Sequence, residues 1–192
     1  VQRFNFAKNV TSEIAVRRGV VTASTTKLDI ADSTTEIKDV EVRPLEKGIP
    51  LKVGKVDIKN ANFNTMLHDF HVHPHSHVAW DIREVHVQDV KGTIDPIKID
   101  GDLSGKTYDF GVYDRPATDP ARARIIGVRE AALQGKLAVR PKMLQFEHMT
   151  VTTAKSVARD VMVGIGYHEE LRVEVPSSKI DVGELSPLGS VP

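Results

Sequence analysis

Cysteine is absent from the 192 residues. Disulfides, thiolate-ligated zinc and thiol nucleophiles are therefore excluded, while the redox compartment stays open. Aromatic residues are scarce, at 5%, too few for a base-stacking platform. Charge of one sign is not in excess either: 26 Lys and Arg balance 26 Asp and Glu. No net field draws the chain toward nucleic acid or an anionic membrane. No apolar run approaches the roughly 18 residues of a membrane-spanning helix, and no secretory signal stands at the start. The chain begins at Val1 and closes on Ser-Pro-Leu-Gly-Ser-Val-Pro, and it reads as the ordered or processed part of something longer.

The motifs of common enzymes are missing too. There is no Gly-x-Ser-x-Gly elbow, no Walker loop and no Gly-x-Gly-x-x-Gly; Gly164-Ile165-Gly166 is too short to count. Carboxylates such as Asp100 and Asp102 stand at strand spacing on a charged face, with no cleft announced that would shift a pKa. Arg17-Arg18 and Arg122-Ala123-Arg124 read as solvated charge, or as contacts for a lipid headgroup or acidic partner. The expectation is a non-enzymatic protein with no cofactor.

What is present is strand signal. The length suits one domain or two small ones with a real core, and Val, Ile and Thr favour sheet. The stretch Val85–Gly105 organises the reading. Val85 and Val87 alternate with polar residues, and Val90 follows one step out of phase. A bulge produces such a slip, because one extra residue exchanges the two faces. After a turn at Asp95-Pro96, Ile97, Ile99 and Leu103 share one side, while Lys98, Asp100 and Asp102 share the other. Comparable slips separate Ile37 from Val40 and Ile58 from Ala61. The slipped unit recurs at Val173–Val182, where Val173 and Val175 alternate; spacings of about 27 to 30 residues between the clearer copies suggest repetition.

The fold expected is mainly β, an antiparallel meander forming a curved groove or a β-sandwich, with at most one or two short helices. Residues 1–19 read as an irregular segment in which Thr11-Ser12-Glu13 caps a brief helix. Residues 20–105 form one β half, 106–122 a loop or internal boundary, and 123–192 a second half. The segment Ala121–Leu133 admits both strand and helix, with strand favoured. Asn9-Val10-Thr11 matches a glycosylation sequon, a pattern frequent by chance.

Six of the eight histidines fall between His68 and His86. On an extended backbone His71, His73, His75 and His77 point the same way, about 7 Å apart. That spacing can share a zinc, copper or nickel ion, or let several imidazoles charge together near pH 6. A solvated polar loop broken by Pro74 is the simpler reading.

Three stretches, Lys55–Phe63, Val85–Gly105 and Lys179–Leu188, together resemble the AsmA-like (TamB-like) β-repeat proteins of the bacterial envelope. The nearest phrases are Ile99-Asp100-Gly101-Asp102-Leu103-Ser104-Gly105 and Ile180–Leu188, and the resemblance spans about residues 20–105 and 130–188. It implies a long curved sheet whose apolar groove shields lipid acyl chains on the periplasmic side. The His-rich run and the absence of the family's membrane helix depart from the pattern. The function expected is thus an envelope-associated lipid-groove or scaffold module. Its working surface is Val85, Val87, Ile97, Ile99, Leu103, Val173 and Val175, and its partners are lipid acyl chains or a membrane protein complex. The alternative is a soluble accessory subunit packed on a membrane complex, and a third reading is a His-rich metal-binding domain.

Overall fold

A computed structural model describes residues 9–30, 33–62, 78–116, 119–166 and 171–185. The elements are β1 (Val10–Arg17), β2 (Val20–Ile30), β3 (Ser33–Val42), β4 (Pro50–Asn62), β5 (Val78–Ile94), β6 (Ile97–Tyr113), β7 (Arg124–Arg140), β8 (Met143–Thr152), β9 (Val157–Gly166), β10 (Leu171–Glu174) and β11 (Ser177–Lys179). A single helical turn, α1 (Val182–Leu185), follows. Strands β1 to β10 lie side by side in sequence order as one open antiparallel sheet. Short β11 continues along β9 where β10 leaves off.

The slips in hydrophobic phase are where the backbone departs from regular strand. Asp39, Asn60, Asp89, His148 and Asp160 all have φ between 51° and 56°. Asp, Asn and His are the non-glycine residues that tolerate this left-handed region best. Each sits immediately before an apolar residue, in a three-residue step such as Val87-Gln88-Asp89-Val90. Spending one residue in this way returns the next apolar side chain to the same face. On β5, Gln88 pairs with Asp102 and Lys91 with Asp100, so Asp89 and Val90 together face Gly101. On β8 the same two-against-one arrangement sets His148 and Met149 against Gly135. A Cβ on Gly135 would stand 2.9 Å from the Glu147 carbonyl oxygen and closer still to the Met149 sulfur. Only glycine leaves room there.

With the slips placed, the register lines up apolar residues in rows across the strands. One row runs Ala23, Val40, Val53, Val90 and resumes beyond Gly101 as Leu137, Phe146, Val163 and Val173. A second runs Ile37, Val56, Val87, Leu103 and Gly135, with Met149 and Val161 beyond. Val53, Val87, Val90, Leu103, Met149 and Val161 are buried and form the core of this face. Substantial packing between strands is confined to ladder neighbours, so the sheet is a single layer and the sandwich expected as one alternative does not form. The apolar rows lie side by side on one face of that layer.

Three local expectations are corrected. Val10–Arg17 is strand β1, not an irregular segment with a capped helix, because Val10, Ile14 and Val16 find partners on β2. Strand β6 continues through Tyr113, so the connection to β7 shrinks to residues 114–123. The slipped unit at Val173–Val182 is not one strand: it is broken after Glu174, with Pro176 between β10 and β11, and turns into α1. The competition over Ala121–Leu133 resolves as strand from Arg124 onward, paired with β6 along its length and with β8 from Ala132.

Candidate functional site

The residues expected to form a working surface lie on the apolar side of the sheet. Val85 pairs with Ile58 on β4 and Gly105 on β6, and Val87 with Val56 and Leu103. Ile99 continues the next row through Val139 and Leu144, and Ile97 begins β6 opposite Ile94. Val87 and Leu103 are each only 6% exposed; Val85, Ile97 and Ile99 are half-buried. Val173 joins the same face at the last strand but is 53% exposed, and Val175 lies just past that strand's end, also exposed. The surface is crowded from β4 to β9 and opens at the β10 margin. Leu51, Leu133, Leu137, Phe146 and Val151 also pack against the core, and their slipped spacing hid them until the register was known.

The opposite side is charged and self-neutralised. Lys136 Nζ stands 2.9 Å from Asp102 Oδ1, Arg140 Nη2 2.6 Å from Asp100 Oδ1, and Lys106 Nζ 3.6 Å from Glu84 Oε1. Arg140 also donates from Nη1 to the Ile99 carbonyl at 3.0 Å. Exposed pairs of this kind add little stability singly, but in a ladder they keep this face from burying against anything apolar. The densest group is Asp57, buried, with the Lys55 ammonium at 2.9 Å and the His86 Nδ1–H at 2.5 Å. The far nitrogen of His86 is 3.9 Å from Glu84 Oε2. Burial pushes the Asp57 carboxyl up, but the hydrogen bonds and charges of Lys55 and His86 outweigh it and hold the carboxyl below its usual value.

Where β6 meets the 114–123 connection, the Tyr113 ring is buried with the guanidinium of Arg122 at 4.5 Å and that of Arg124 at 6.0 Å. Asp114 Oδ1 accepts from the Ala123 N–H at 2.7 Å and closes the loop. Arg122-Ala123-Arg124, read as solvated charge, thus stacks on an aromatic ring.

His71, His73, His75 and His77 lie outside the described residues. Among the described residues no group of three or more His, Asp or Glu side chains is arranged to hold a metal.

No family model, curated protein or solved structure matches this chain.

Proposed function

We propose that the protein is a non-enzymatic module of the bacterial cell envelope, on the periplasmic side, working as an AsmA-like lipid-groove or scaffold through the apolar face of its sheet. The observation that supports this is a single-layer sheet with apolar rows on one side and neutralised charge on the other. A face of that breadth buries against something. Acyl chains suit it because they supply apolar area without hydrogen-bond demands.

Adjacent residues of β7 test this with an internal control. Leu133 belongs to the apolar rows, whereas Gln134 faces the other way and is exposed. A photo-crosslinking amino acid at Leu133, activated in living cells, is expected to capture lipid, and the same group at Gln134 is not. Equal capture at both positions, or none at Leu133, would sink the lipid-groove reading.

The free edge of β1 favours a second reading, a soluble accessory subunit packed on a membrane protein complex. Among the described residues β1 pairs only with β2, and Val10, Ile14 and Val16 stand exposed beside that edge. An apolar edge strand accepts a partner strand readily. Capture of a protein at Leu133 in place of lipid would decide for it.

A further inference from the structure

Charge balance over the whole chain conceals an uneven end. Because the strands alternate in direction, the β1–β2, β3–β4, β5–β6 and β7–β8 connections lie at the same end of the sheet as the β9–β10 connection, whose residues 167–170 are outside the described ones. The first four carry Arg18, Arg43, Lys47 and Lys142 against Glu46 and Asp95, with Arg17 at the lip of β1. Arg43 is spoken for: its guanidinium lies 2.8 Å from Glu41 Oε1 and 3.1 Å from Glu46 Oε1. Arg17, Arg18, Lys47 and Lys142 are exposed, and among the described residues of these connections Asp95 is the carboxylate left.

In the midst of these cations Leu45 is 85% exposed. The loop that carries it is firmly built. The Arg43 N–H donates to the Pro50 carbonyl at 3.0 Å, Glu46 N–H to Arg43 at 3.1 Å and Ile49 N–H to Glu46 at 3.0 Å. The Gly48 carbonyl accepts from Ile94 and Asp95, each at 3.1 Å, which ties this loop to the β5–β6 turn. On the other side Leu45 leans over the β1–β2 turn, its Cδ1 2.9 Å from where a Cβ on Gly19 would stand. Three connections thus make one tip. Its apolar points are Val16, Leu45 and Ile94, at 68%, 85% and 44% exposure, and its rim is basic. An apolar side chain held out among cations combines the two attractions that bind proteins to an anionic interface. A pocket on another protein would also accept a leucine, but the surplus of Arg17, Arg18 and Lys47 over Asp95 around it favours a surface of phosphates.

We propose that this end of the sheet docks on an anionic bilayer, with Leu45 entering the boundary between headgroups and acyl chains and Arg17, Arg18, Lys47 and Lys142 meeting lipid phosphates. The tip lies at the ends of the strands, apart from the buried core of the apolar rows, so the proposal stands or falls independently of what those rows bury. The test is flotation of the whole chain with vesicles of phosphatidylcholine alone, or of phosphatidylcholine and phosphatidylglycerol in equal parts. Binding is expected only to the mixed vesicles and is expected to weaken with salt. Arg18→Asn, which keeps the left-handed conformation at φ 48°, and Lys47→Ala should each weaken binding about fivefold. Leu45→Asp should abolish it. Since the chain has no cysteine, a single polarity-sensitive dye on Leu45→Cys should shift to the blue with the mixed vesicles alone. Circular dichroism checks that each variant keeps the parent fold. Equal flotation with both vesicle types, no flotation with either, or a Leu45→Asp variant that binds like its parent would each overturn the proposal.

Discussion

At Asp57, burial and charge pull in opposite directions, and charge prevails. The folded carboxyl titrates below its unfolded value of about 3.9. The stability it contributes is complete above that value and is lost as pH falls through the folded pKa. Urea midpoints are therefore expected to drop as the solution is acidified below about pH 4. Asp57→Asn should flatten part of that drop while lowering stability at neutral pH; an unchanged acid limb would show that Asp57 does not carry it. Gly135 offers a steric counterpart. With the Met149 sulfur and the Glu147 carbonyl occupying the space of its missing Cβ, Gly135→Val should cost about 1–3 kcal/mol of unfolding free energy, measured by denaturant titration. Neither environment is visible in the sequence, since His86 beside Asp57 and Met149 beside Gly135 come from neighbouring strands.

Among the elements, the slipped strands were legible and the ends were not. The misfit between Val87 and Val90 marks the bulge because hydrophobic phase must be restored if both are to face one side, and Asp89 does take the left-handed conformation there. The steps at Asp39 and Asn60 read the same way. Asp89→Gly should be neutral or stabilising, because glycine adopts φ 52° freely. Asp89→Val should cost about 1–2 kcal/mol. Thermal melts of the two variants separate local strain from loss of the aspartate side chain, which both remove. The stretch Ala121–Leu133 was ambiguous because its helical preference is local, whereas its strand state is stabilised by ladders to Phe110–Tyr113 and Thr152, well removed in sequence. Val10–Arg17 was misread for a related reason: its alternation is weak, and only the pairing with β2 makes it strand.

For the molecule as a whole, a neutral chain folds into an object with marked polarity in two directions. Across the layer, one side is apolar and the other is laced with cross-strand ion pairs such as Lys136–Asp102. Along the strands, one end gathers short turns with exposed cations around Leu45. Formal charge summed over the chain cannot register either asymmetry. The capture contrast between Leu133 and Gln134 tests the first, and vesicle flotation tests the second; each can fail without the other.

The sequence by itself determined that the protein is a mainly β, antiparallel meander with bulged strands and one apolar side. Side-chain periodicity and the few residues able to adopt positive φ are local properties, written residue by residue. Only the tertiary structure decided that the strands form one uninterrupted open layer, that Gly101 and Gly135 oppose the bulges, and that Leu45 stands out beside Arg18. Those facts depend on register between strands, which residues far apart in the chain set together.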